Sequence, residues 1–176
     1  MKINFKGVFS RYLILLILGL NLWVFYWVFR PLTIQPVYFL LDLFFSVSLS
    51  GNIISGLFGS EVVLIELIDA CIAGSAYYLL LILNLSTPNI KVQRRINLIV
   101  ASVIVFLAIN VIRIFSLAIF YAYGFLLFDF THQLSWYALS IIFVVGIWFF
   151  QVKYFKINEI PFISDMKSLY KKSSLK

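Results

Sequence analysis

Ile96 to Tyr123 is an unbroken apolar run with a single charged residue, Arg113, inside it. A helix needs about 20 mostly apolar residues to cross a hydrocarbon core of ~30 Å, and this run exceeds that length. Three more stretches share its character. Tyr12–Phe29 is apolar apart from Asn21 and is closed by Arg30-Pro31. Ile72–Leu85 continues a segment that starts at Leu64 and is interrupted by Glu66 and Asp69, and Leu134–Val152 is the last. Such a chain is expected to be all-α, a polytopic transmembrane helix bundle. Composition agrees, because 63% of the residues are apolar and only 12% are charged. A soluble domain carries about twice that charge. Residues 1–176 are therefore read as one integral membrane domain, with its core at 12–152 and a basic tail at 153–176.

The net charge is +7. On a soluble chain this excess would suggest nucleic acid. Here the basic residues fall at the two ends and in one loop, which suits membrane topology and anionic lipid instead. No nucleic-acid partner is expected. Lys2, Lys6 and Arg11 precede the first run. Lys91, Arg94 and Arg95 separate the second from the third, and Lys153, Lys156, Lys167, Lys171, Lys172 and Lys176 follow the last. The positive-inside rule gathers all three groups in the cytoplasm. Four spans achieve this, with both termini cytoplasmic. The start resembles a signal peptide, but Tyr12–Phe29 is long for the apolar region of one and no small-x-small cleavage site follows, so it is expected to stay as a membrane helix.

Val37–Leu49 is apolar but short, and it carries Asp42, Ser46 and Ser48. It is expected to be re-entrant or interfacial on the outer side rather than a fifth span. Gly51-Asn52-Ile53-Ile54 and Val62-Val63-Leu64-Ile65, flanking Gly56 and Gly59, read as a small β-hairpin.

This topology assigns depths to the polar residues. Cys71 starts the second span at its outer end, with Asp69 as a plausible N-cap. The helix dipole favours an anion in that first turn, while Asp69 opposes it. Arg113 lies about 26 Å along a helix from Ile96, near the outer end of its span. A charge in that position is costly unless paired or wetted, which makes it a functional candidate by default. Asn110 is one turn deeper on the same face and is expected to hold the guanidinium with its amide oxygen. His132 opens the fourth span, after Gly124 as a helix stop and Asp129 or Thr131 as a new N-cap. A helix N-terminus disfavours imidazolium, which suits a proton acceptor.

Each residue also has a bland reading. A lone cysteine in an apolar segment is usually inert packing, a lone histidine at a helix start is usually a surface residue, and an arginine near a membrane face can simply snorkel. Asn110 reads equally as glue between helices. The shared depth of Cys71, Arg113 and His132 is what separates them from such cases. A non-enzymatic reading, such as a small transporter subunit or an assembly protein, stays open on the same residues. The single cysteine allows no internal disulfide. No metal-ligand cluster, phosphate loop or paired carboxylate site is visible, and no cofactor is expected.

The order Asp69-Ala70-Cys71-Ile72-Ala73-Gly74, then Asn110-Val111-Ile112-Arg113, then His132, each on a successive outer helix end, resembles the exosortase/archaeosortase family. The glycine-containing lead-in from Gly51 to Glu66 is similar as well, and the likeness covers roughly Val37 to Phe150. The chain departs from the pattern of cysteine, small residue, glycine, since Ile72 and Ala73 separate Cys71 from Gly74. It is also shorter than the usual eight-span members and looks like a compact archaeal-type one. The resemblance implies a membrane-embedded cysteine transpeptidase or protease at the extracytoplasmic face of the cell membrane. Its partners would be exported proteins ending in a short motif, a transmembrane helix and a basic cluster, with membrane lipid as acceptor in some members. It implies Cys71 as nucleophile, His132 as general base and acid, Arg113 as oxyanion stabiliser and Asn110 as its orienting residue.

Overall fold

The computed structural model describes residues 5–59, 61–88, 90–157 and 170. The basic tail beyond Ile157, apart from Tyr170, and Lys2 lie outside the described residues. The order is α1 (Phe5–Leu20), α2 (Trp23–Asp42), β1 (Ser46–Ser50), β2 (Ile53–Phe58), β3 (Glu61–Glu66), α3 (Asp69–Ile72), α4 (Gly74–Ser86), α5 (Val92–Ala122), α6 (Phe128–Leu134), a π-helical turn (Ser135–Leu139) and α7 (Ser140–Tyr154). The chain is mostly helical, and where a hairpin was expected beside the helices it has a small three-stranded sheet.

Three helical segments are long and apolar enough to cross a membrane: Asp69–Ser86, Val92–Ala122 and Phe128–Tyr154. A fourth crossing exists only if the bent pair α1 and α2 is one span, since the two meet at 75°. The expected single span Tyr12–Phe29 is thus broken, at Asn21 and Leu22. There the backbone tightens, with the Val24 and Phe25 amides donating to the Asn21 and Leu22 carbonyls. Arg30-Pro31 does not end the helix either, because α2 carries Pro31 and Pro36 inside it. Tertiary packing overrides the lost ladder bonds. Phe25, Phe29, Ile34, Val37 and Leu41 form one buried stripe along α2. Phe29 stacks on the fully buried Tyr77 of α4 at 3.6 Å between centroids, and Tyr77 meets Phe106 of α5 edge-on at 4.9 Å.

Val37–Leu49 is not a single element. Its first half completes α2 and Ser46–Leu49 belongs to β1. The expected hairpin is present as β2 and β3, and β1 extends it to an antiparallel meander. The turns fall at Gly51 and Gly59, both at positive φ. Gly56 is not a turn residue but the middle of β2, where a Cβ would lie 2.4 Å from the Val47 side chain. One face of the sheet packs Ile54, Phe58, Val63 and Ile65 on the core, while Ile53, Leu57, Val62 and Leu64 face outward.

The far end of the bundle shows why α4 stops. Its last carbonyls have no helical partners. Arg95 donates to the Asn84 and Leu85 carbonyls at 2.7 and 2.8 Å, and Arg11 reaches the Leu85 and Thr87 carbonyls. These cations also oppose the negative end of the helix dipole. Two of the basic residues that mark topology in the sequence therefore cap a helix as well.

Candidate active site

β3 runs through Leu67 and Ile68 straight into α3, a single turn that carries Cys71. Ile68 is extended and stands as N-cap, and its carbonyl accepts the Cys71 amide at 2.9 Å. Asp69 is therefore not the cap. Its carboxylate pairs with Arg30 of α2 on the exposed side. Ala73 then adopts the left-handed conformation at φ 59 and ψ 40, and α4 starts afresh at Gly74. Cys71 thus sits in the first turn of the Asp69–Ser86 segment, on a turn that Ala73 sets off from α4. A left-handed alanine costs roughly 1–2 kcal/mol that glycine avoids. Ala73→Gly is expected to raise unfolding stability by about 1 kcal/mol after glycine's own entropic cost. Denaturant titration of the two proteins in the same detergent checks this.

The break frees the Cys71 carbonyl from the helical ladder, and α5 takes it. Asn110 Nδ2 donates to it at 3.0 Å and Arg113 Nη2 at 3.4 Å. Asn110 does not hold the guanidinium with its amide oxygen as expected. That oxygen is buried without a partner, and both side chains converge on the Cys71 main chain instead.

Arg113 is anchored further by Nη1, which donates to Ser140 Oγ at 2.7 Å and to the Ser135 carbonyl at 3.3 Å. Both partners belong to the π-helical turn or its edge. The wider turn carries the Ser140 hydroxyl to the Ser135 carbonyl at 3.3 Å. Such turns often occur at functional sites. Arg113 Nε and Ser135 Oγ are buried with no partner. Among the described residues no carboxylate pairs with Arg113, so its charge rests on neutral acceptors alone.

His132 does not open a helix. Leu127 occupies the N-cap, α6 begins at Phe128, and neither Asp129 nor Thr131 caps it. His132 is half-buried and its ring stacks on Phe128 at 5.5 Å and 6°. Gly124 does stop α5, at φ 61.

Cys71, Arg113 and His132 all line one cavity of about 290 Å³, together with Glu66, Ser135 and Trp136. Asn110 supports it from behind, and Asp69 does not reach it. Ser135 and Ser140 escaped the sequence reading, and Glu66 entered it only as an interruption of an apolar segment. Their only sequence signal is a hydroxyl pair five apart in an apolar run. No cluster of metal-ligating side chains is found among the described residues. Comparison with known protein families, curated proteins and solved structures gives no match.

Proposed function

We propose that this chain is a membrane-embedded cysteine transpeptidase or protease of the exosortase/archaeosortase type. It would cleave C-terminal sorting signals of exported proteins and pass the new C-terminus to an acceptor. The observation that carries the reading is one cavity lined by Cys71, Arg113 and His132 from three separate helices. In this mechanism His132 takes the Cys71 proton and the sulfur adds to the scissile carbonyl. The oxyanion forms beside Arg113, whose Nε and the neighbouring Ser135 hydroxyl have unspent hydrogen-bonding capacity. The C–N bond then breaks, the leaving amine takes the proton back from His132, and a thioester remains on Cys71. A lipid nucleophile or water, deprotonated in turn by His132, releases the product.

The charge distribution supports an extracytoplasmic site. Every aspartate and glutamate among the described residues, namely Asp42, Glu61, Glu66, Asp69 and Asp129, belongs to the sheet end of the bundle. Arg11, Lys91, Arg94, Arg95, Lys153 and Lys156 belong to the other, which the positive-inside rule assigns to the cytoplasm. In a Cys71→Ala background, Gln133→Cys is expected to react with an impermeant maleimide added to intact cells, and Gln93→Cys to react only after lysis. The reverse pattern discards the proposed orientation.

The functional test uses an exported protein encoded beside this chain that ends in a short motif, an apolar helix and a basic tail. Mass spectrometry of its C-terminus should show truncation that requires Cys71. A lipid adduct identifies transfer and a free carboxylate identifies hydrolysis. A full-length C-terminus in cells with the native chain rejects the reading.

A further inference from the structure

The sheet ends in an edge that leads to the nucleophile. β3 pairs with β2 on one side and, among the described residues, with no strand on the other. The pairing fixes which of its backbone groups are free. Leu67 N donates to the Asn52 carbonyl at 2.9 Å, one step beyond the Ile53–Glu66 pair. Hydrogen-bonded and non-bonded pairs alternate in an antiparallel ladder. Leu67, Ile65, Val63 and Glu61 therefore face β2, while the N–H and C=O groups of Glu66, Leu64 and Val62 point away from the sheet. The hairpin geometry agrees, since the two residues that flank the Gly59 turn, Phe58 and Glu61, form a bonded pair. Among the described residues no backbone group bonds to the free side.

Leu64 to Ile68 line the same cavity as Cys71, Arg113 and His132. The free edge and the thiol are thus one continuous surface. Val62 and Leu64 expose 74% and 64% of their area, so the edge has apolar side chains beside its unpaired polar groups. An unpaired edge is costly where water is scarce and is a template for another strand. Glu61 and Glu66 stand at its two ends, both exposed. They favour a neutral or basic segment and oppose an acidic one.

We propose that the substrate binds as an added β-strand along the free edge of β3, with its scissile bond delivered to Cys71. This rests on the peptidase reading and names how that site takes its substrate: an extended, neutral-to-basic peptide whose main chain bonds to Val62, Leu64 and Glu66. Those bonds span about 13 Å of strand, so roughly five substrate residues are held. Main-chain recognition supplies affinity, and the side chains facing the cavity supply choice.

The test measures alkylation of Cys71 in the detergent-purified full chain by intact mass spectrometry. The probe is an acetylated Ala-Val-Lys-Val-Ala peptide ending in a vinyl sulfone, compared with methyl vinyl sulfone. Alkylation needs a docked peptide and a reachable thiol but no turnover. A chain that labels this way yet processes nothing overturns the peptidase reading alone. The peptide is expected to react faster than methyl vinyl sulfone. Leu64→Pro removes an outward N–H without breaking a bond to β2, and it should slow the peptide about fivefold, the effect of one lost hydrogen bond. The readout is the peptide rate divided by the methyl vinyl sulfone rate on the same variant, so a change in the thiol's own reactivity cancels. Leu64→Ala, which keeps the amide, should slow the peptide less. N-methylation of alternate backbone amides of the probe should produce the same loss on the native chain, independent of any variant's folding. A Glu-for-Lys probe should react more slowly. Equal rates for the N-methylated and parent peptides, or no advantage of the peptide over methyl vinyl sulfone, overturn strand addition.

Discussion

Cys71→Ala is expected to abolish processing of the exported substrate while the membrane level of the protein stays the same. The two halves of this expectation have separate causes. Chemistry stops because alanine offers no nucleophile, and losses from removing such a group reach many orders of magnitude. Folding persists because the turn is held through its main chain. Asn110 and Arg113 both donate to the Cys71 carbonyl, and the Cys71 amide is bonded to Ile68. The sulfur meets the Ile68 main chain, but the turn is bonded through its own amide and carbonyl, and a half-buried thiol exchanged for a methyl leaves only a small gap in a wall that is already open to a cavity. Immunoblotting of membranes beside mass spectrometry of the substrate reads both halves. Normal processing by Cys71→Ala sinks the enzyme proposal and favours a transporter subunit or assembly protein.

Arg113→Lys is expected to lower processing by about 100-fold or more, although it conserves charge. The guanidinium divides its work among three acceptors, with Nη1 on Ser140 and Ser135 and Nη2 on Cys71, and still keeps Nε free. A lysine ammonium is a single point on a flexible stem and cannot span those partners while facing the cavity. The cost of leaving this charge with neutral acceptors in an apolar setting is recovered when an anion forms beside it, which is the electrostatic logic of an oxyanion site. The loss should appear in kcat rather than KM, since the interaction strengthens only as negative charge develops. Thermal unfolding should shift little, because Asn110 keeps its bond to the Cys71 carbonyl. A variant that processes at the native rate shows that Arg113 only holds the turn.

The apolar runs were legible because lipid imposes length and composition directly on each crossing segment. Cys71, Arg113 and His132 were legible as a group because all three are polar residues near one end of such runs. What escaped was local backbone geometry. Nothing in Asp69-Ala70-Cys71-Ile72-Ala73-Gly74 announces that alanine rather than glycine takes the left-handed position. That single residue separates α3 from α4 and redirects Asn110 from Arg113 to a carbonyl. Ser135 and Ser140 were hidden because an ordinary helical turn puts residues five apart on different faces, and only the π turn brings them together. Pro31 misled for the opposite reason, since buried contacts along α2 outweigh the amides missing at Pro31 and Pro36. His132 was placed at a helix start because Asp129 and Thr131 are good caps by type. The cap falls two residues before Asp129, at Leu127.

Among the described residues every acid lies at the sheet end, with only Arg30 and Arg113 of the basic residues beside them, so the folded chain carries a permanent electric moment along the bundle. A living cell maintains an inside-negative voltage, and each elementary charge that crosses 100 mV changes energy by about 2.3 kcal/mol. The same segregation that names the two faces would therefore make correct insertion sensitive to energisation. Cells depolarised during synthesis are expected to accumulate a larger inverted fraction than cells kept polarised.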